Sequence, residues 1–136
     1  MEFFRTLNIK TRAEVIQKSL TVKNFDAFST EMFVIGNQNE EETQIGGIWG
    51  EFTLSRSKIN GGLRFALVEC PNGLAWTVTT GFLPDRDSII IHLTINRRQQ
   101  EESFIEEINE FLDDHSECLK NHFLKSMHQL DSHSYH

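Results

Sequence analysis

One stripe of apolar residues near the C-terminus constrains this chain more than anything else in it. Phe104, Ile105, Ile108, Phe111, Leu112, Leu119 and Phe123 recur at helical spacing. Residues 99–127 therefore read as one long helix. Glu101, Glu102, Glu106, Glu107 and Glu110 crowd its first half, while Lys120, Lys125 and His128 lie in its last turns. That is the polarity a helix macrodipole favours. A helix with one apolar stripe needs a surface to cover, and the residues before it read as strands that supply one.

Residues 28–35 alternate as a first strand, with Phe28, Thr30, Met32 and Val34 on one side. Residues 36–44 read as a solvated acidic loop carrying Glu40, Glu41 and Glu42. Residues 45–58 read as a second strand. Ile48, Phe52 and Leu54 point one way in it, and Trp49, Glu51, Thr53 and Ser55 the other; Gly46, Gly47 and Gly50 mark a bulge or a close approach. Asn60-Gly61 is a strong hairpin signal, because a type I′ turn needs positive φ at both positions. Residues 63–70 and 74–80 are the third and fourth strands, joined at Pro71-Asn72-Gly73. Residues 84–87 form a turn, and residues 88–95 are the fifth strand.

Two-residue turns set the faces. They place Leu54 opposite Leu67, Leu67 opposite Val78, and Glu69 opposite Trp76. One face then holds Ile48, Phe52, Leu54, Phe65, Leu67, Trp76, Val78, Ile89, Ile91 and Leu93, and is the core. The other, with Trp49, Thr53, Thr77, Thr79, His92 and Thr94, is small and threonine-rich. Residues 2–10 fit a frayed helical turn and a short edge strand equally well. Thr11-Arg12-Ala13-Glu14 has capping-box spacing and opens a short helix with Ala13, Ile16 and Leu20 on one face.

The fold expected is α+β. It is a two-layer sandwich, an antiparallel five-stranded meander covered on one face by a long C-terminal helix and a short N-terminal helix. Residues 1–128 form a single domain, and residues 129–136 a frayed tail.

The net charge of -7 argues against binding a nucleic-acid backbone, where affinity comes from counterions released by Lys and Arg. The longest fully apolar run, residues 89–91, is too short to span a bilayer, and the first residues lack the apolar core of a signal peptide. Cys70 and Cys118 read as free thiols, which suits a cytoplasmic protein.

Several residues are candidates for chemistry. His115, Cys118 and His122 share one side of the helix at a spacing that can present metal ligands. The axial distance from the first to the last is about 10 Å, so no metal is assigned, and both rings read as buried at an interface. Glu69, on the core face beside Trp76, is placed for a raised pKa and acid–base work, unless it reaches water at the sheet end. Asp85-Arg86-Asp87 reads as a solvated turn. His92 lies among threonines, with no nucleophile and orienting acid beside it. Gly46-Gly47 and Gly61-Gly62 open no helix and cradle no phosphate. No catalytic residue and no cofactor is assigned.

Two functions from different classes follow. The first is a non-enzymatic protein–protein interaction or accessory module, chaperone-like and acting as a homodimer on an unidentified protein partner. Its argument is length: the helix is about 43 Å long at 1.5 Å per residue and overshoots the sheet. Leu119, His122, Phe123 and Met127 lie in the overshoot and, with Trp49, are the interface expected. The alternative is a small-molecule-binding protein or enzyme, with an apolar pocket between helix and sheet lined by Phe65, Glu69, Trp76 and Phe111. In size, acidity and class the chain resembles the type III secretion chaperones. It departs from them where Pro71-Asn72-Gly73 leaves no room for a helix between the middle strands, and no family is assigned.

Overall fold

The computed structural model describes residues 1–81, 88–96 and 101–134, with residues 37–38 and 126–134 described by their backbone alone. The elements in chain order are β1 (Glu2–Leu7), α1 (Ala13–Ser19), a 3-10 turn (Phe25–Phe28), β2 (Met32–Gln38), β3 (Glu42–Gly47), β4 (Gly50–Ile59), β5 (Gly62–Leu67), β6 (Ala75–Thr80), β7 (Ile89–Thr94) and α2 (Glu102–Ser134). The fold is α+β, as expected. Among the described residues its sheet has seven strands rather than five, all antiparallel, in the order β1-β7-β6-β5-β4-β3-β2.

The meander runs from β2 to β7, and β1 adds to its far edge. Residues 2–7 are ambiguous by themselves; pairing with β7 decides them. Phe3 faces Leu93, Arg5 faces Ile91 and Leu7 faces Ile89. The chain's first amino group donates to the Ile95 carbonyl at 3.0 Å.

The second expected strand is in fact two. The chain reverses at Ile48-Trp49, so that Gly47 pairs with Gly50 and Ile45 with Phe52. Gly50 carries the positive φ of the turn, +106°. A Cβ on Gly47 would lie 2.4 Å from the Glu31 carbonyl oxygen, so glycine is needed for β2 to approach β3. The reversal breaks the alternation read through this stretch: Ile48 is exposed, and Trp49 turns towards α2. Most of the expected acidic loop is strand as well. Asn39 Oδ1 accepts from the Glu41 and Glu42 N–H groups at 2.8 Å, which tightens the β2–β3 connection.

The first expected strand starts late for a similar reason. Phe25 and Phe28 fold into the core on the 3-10 turn, and Ser29 Oγ accepts from the Glu31 and Met32 N–H groups at 3.2 Å each. The capping box at Thr11 does not form, since Arg12 is the N-cap of α1 and makes no side-chain cap bond. Asn60-Gly61 forms the hairpin with the expected register, Leu54 opposite Leu67. Only Gly61 has positive φ there, +88°, so the turn is not type I′.

The helix α2 lies on the core face, with Ile108, Phe111, Leu112, His115, Leu119 and Phe123 all buried. Each large apolar side chain buried there contributes about 1.5–3 kcal/mol. Polar ties hold it on two flanks. Arg5 Nε donates to Asp113 Oδ1 at 2.8 Å and its Nη2 to Asn109 Oδ1 at 2.9 Å. Asp114 accepts from the Thr30 N–H at 2.8 Å, from Thr30 Oγ1 at 2.5 Å and from Ser29 Oγ at 3.2 Å.

Candidate functional site

The space between sheet and helix is filled by rings. Phe65 of β5 stacks on Trp76 of β6 at 5.4 Å, and Trp76 meets Phe111 of α2 edge-on at 5.2 Å. Three of the four expected pocket residues are thus together. They share a face because β5 and β6 pair in register, Phe65 opposite Trp76. Phe111 lies parallel to His115 at 5.5 Å, and Trp49 meets Phe111 at 5.6 Å and Phe104 at 5.9 Å. Phe25 closes the far side, 5.9 Å from Phe65 and 6.1 Å from both Trp76 and His115. The place of Phe25 and Phe28 in this block was missed; their one-turn spacing was the available signal.

Glu69, the fourth residue, is not in the block. The expected two-residue turn at Asn72-Gly73 would pair Leu67 with Val78, but Leu63 takes that place. The connection is wider, closed by a Leu67 N–H to Leu74 carbonyl bond at 3.1 Å. A shift of four residues is even, so every core residue keeps its face. Glu69, however, leaves the ladder and becomes exposed, accepting from the Thr53 N–H and Thr53 Oγ1 at 2.7 Å each. The Thr53 hydroxyl, then the Thr53 backbone, hold its pKa below the usual carboxylate range. That is opposite to the raised value expected of a buried acid.

His115 is the polar centre of the block and is completely buried. Its Nδ1 lies 2.5 Å from the Phe28 carbonyl oxygen, which only accepts, so Nδ1 carries the proton. Burial pulls its pKa down to about 4, against smaller upward pulls from the Phe28 bond and from Asp114. The ring is therefore neutral at pH 7, with a lone pair on Nε2. That nitrogen is buried and unpartnered among the described residues, and so are Trp49 Nε1 and Trp76 Nε1. One acceptor and two donors thus lie unmatched within one aromatic block. Beside Trp49 is a void of about 10 Å3, lined by Met32, Ile45, Phe52 and Leu67 among others.

The three residues of the candidate metal spacing do not converge. His115 turns into the block, Cys118 Sγ faces Asp114 Oδ1 at 3.9 Å, and His122 meets Phe28 edge-on at 4.9 Å. Among the described residues no three His, Cys, Asp or Glu side chains are grouped to hold a metal. His92 lies on the outer face opposite Thr77, stacked on Phe4 at 4.3 Å with its Nε2 3.1 Å from Glu2 Oε1.

Of the expected interface, Leu119 and Phe123 are buried inside this chain, at 0% and 3% exposure, and His122 is half-buried. A seven-stranded sheet and the aromatic 3-10 turn beneath the helix supply the cover that a five-stranded sheet would lack. Trp49 sits at the helix side, not on the threonine face. The Met127 side chain and the turn at residues 84–87 lie outside the described residues. Cys70 and Cys118 are unpaired. No described helix is long and apolar enough to cross a membrane.

An antiparallel sheet covered by a long C-terminal helix, with a short helical connection between its first two strands, is a fold seen before. The chain is similar to a solved structure of a START superfamily protein from Mycobacterium smegmatis, with a TM-score of 0.61 and 12% sequence identity over 91% of this chain and 97% of that one. At that identity the likeness shows the fold, which is START-like, and not the activity. No family model and no curated protein matches the sequence.

Proposed function

We propose that the protein binds a small, largely apolar molecule bearing a hydroxyl group, in the space between α2 and the sheet. One observation carries this reading: among the described residues, His115 Nε2, Trp76 Nε1 and Trp49 Nε1 are buried without partners in a single aromatic block. Leaving such a group unmet costs about 1–3 kcal/mol. A ligand hydroxyl donates to the imidazole lone pair and accepts from an indole N–H, and so meets both needs with one group. The rings around it suit a flat apolar body. The likeness to a START superfamily protein, a fold typically used for ligand binding, supports the same reading. The void beside Trp49 is far smaller than a ligand, so entry requires Trp49 to move off Phe104 and Phe111.

The chain has two tryptophans, so its two indole N–H resonances report on the site directly. Titration with 2-naphthol should shift both and saturate, while naphthalene, lacking the hydroxyl, should bind at least about tenfold more weakly. His115→Leu should erase that preference. If 2-naphthol leaves both resonances unmoved at its solubility limit, or naphthalene binds as well, the reading fails.

A second reading keeps the interaction module, as a homodimer. Its support is an exposed apolar pair on β2, Phe33 and Ile35, next to Gly46. Two N–H groups at the start of this edge strand are met by side chains: Ser29 Oγ accepts from Met32 at 3.2 Å and Asp26 Oδ1 from Val34 at 2.6 Å. Strand-to-strand pairing is thereby discouraged, and a second copy would have to pack on the face. Sedimentation at micromolar concentration separates a monomer from twice the 15.8 kDa chain mass.

A further inference from the structure

A cleft of about 700 Å3 opens where the end of α1 meets β4, outside the aromatic block. It exists because two strands differ in length. β3 begins at Glu42, opposite Ser55, while β4 continues past that point to Ile59 paired with β5 alone. Along that open edge the Arg56 N–H donates to the Glu41 carbonyl at 2.7 Å. Lys58, two residues on, presents its backbone to the same side.

Four cations line this cleft: Lys18, Lys23, Arg56 and Lys58. Arg56 is half-buried. Its Nε donates to the Leu20 carbonyl at 2.8 Å and its Nη2 to the Gln17 carbonyl, which ties down the end of α1. Both acceptors are neutral, and among the described residues Nη1 is left over. Burial already disfavours its charge, lowering its pKa. Among the described residues no carboxylate oxygen lies within 4.0 Å of Arg56, Lys18, Lys23 or Lys58. This chain holds 20 acidic residues against 13 basic ones, so carboxylates are plentiful. On a chain with an excess of acidic residues, one cleft gathers four cations. Thr21, Ser55 and Ser57 add hydroxyls, and Glu40 and Glu41 line the same cleft.

We propose that this cleft is a second binding site, for a small organic phosphate. The phosphate sits among Lys18, Lys23, Lys58 and the unused face of Arg56. The hydroxyl-bearing remainder of the molecule faces Glu40 and Glu41, which accept from it. The volume lies within the range of ligand sites, about 300–1,000 Å3. Nothing in this assignment depends on the aromatic block.

The test is a backbone amide NMR titration of the full chain with glycerol 3-phosphate, inorganic phosphate and glycerol. Glycerol 3-phosphate should move amides within residues 18–23 and 55–58 and saturate at millimolar concentration. Inorganic phosphate should bind at least about threefold more weakly and glycerol not at all, and added salt should weaken the phosphates because exposed charges are screened. Combining Lys18→Gln, Lys23→Gln and Lys58→Gln removes only exposed side chains, so the fold should hold while the dissociation constant rises about tenfold or more. An unchanged constant in that variant overturns the proposal. So do shifts spread equally to Lys120 and Lys125, which mean an adventitious ion only. Equal affinity for inorganic phosphate removes the organic specificity, and tighter binding of an acidic peptide reassigns the open edge of β4 to strand addition.

Discussion

Acid should weaken this protein at His115, and that share of the loss can be isolated by replacing His115 with Asn. Asn keeps a donor near the Phe28 carbonyl but cannot take up a proton. In the folded chain His115 stays neutral down to about 4, whereas in the unfolded chain it protonates near its ordinary 6.5. The unfolded state therefore binds the proton first. The stability His115 contributes is fully present above 6.5 and is lost as pH falls towards 4. Linkage across that window gives a loss of about 2 kcal/mol at pH 5 and about 3 kcal/mol at pH 4. At pH 7, His115→Asn should itself cost about 2–4 kcal/mol, since the imidazole fills a buried position against Phe111 and Phe25. The gap between wild type and variant should thus narrow steadily on acidification, until the two are nearly equal between pH 5 and 4. Other groups that titrate there do so in both proteins and cancel in the difference. Urea unfolding of both at pH 7, 6 and 5 measures the gap. A gap that stays constant from pH 7 to 5 would refute a neutral, buried imidazole, and with it the lone pair on Nε2.

Four further outcomes are expected. Ile108→Asp should destabilise by about 3–5 kcal/mol in urea unfolding, because it places an unpaired charge at a position with 0% exposure; an unchanged midpoint would contradict the packing of α2 on the sheet. Gly47→Ala should cost about 1–3 kcal/mol, since the new methyl meets the fixed Glu31 carbonyl at 2.4 Å; a neutral effect would mean that β2 and β3 are not so close. Burial first, then Asp114, Glu110 and Glu107, raise the pKa of Glu31, so its ionised form weakens the fold. Glu31→Gln should accordingly raise the melting temperature at pH 7, with the gain fading as acid protonates the wild-type carboxyl. Thiol titration of denatured protein prepared without reductant should count two sulfhydryls per chain, and a count of zero would contradict the unpaired Cys70 and Cys118.

The candidate site was legible in part. Phe65, Trp76 and Phe111 came together because each was read from a local rule, two from strand alternation and one from helical spacing. Glu69 did not, because a four-residue change in a turn moves a residue off the end of a ladder without disturbing the faces behind it. His115 was read as a buried ring, but its tautomer and its unpartnered nitrogen depend on the Phe28 carbonyl, 87 residues away. The basic cleft was not legible at all. Lys18, Lys23 and Lys58 are scattered in sequence, and only the mismatch in length between β3 and β4 draws them to one opening.

Local periodicity in the sequence determined the long C-terminal helix, the Asn60-Gly61 hairpin with its register, and the face of every core residue from Leu54 to Leu93, since helical and strand repeats are properties of near neighbours. Tertiary structure alone decided that residues 2–7 are a strand, that Phe25 and Phe28 enter the core on a 3-10 turn, and that the chain reverses at Ile48-Trp49. Local residue pattern decides none of these short segments. Pairing with β7, packing under α2 and the close approach allowed by Gly47 decide them, and such contacts have no signature in the residues next door.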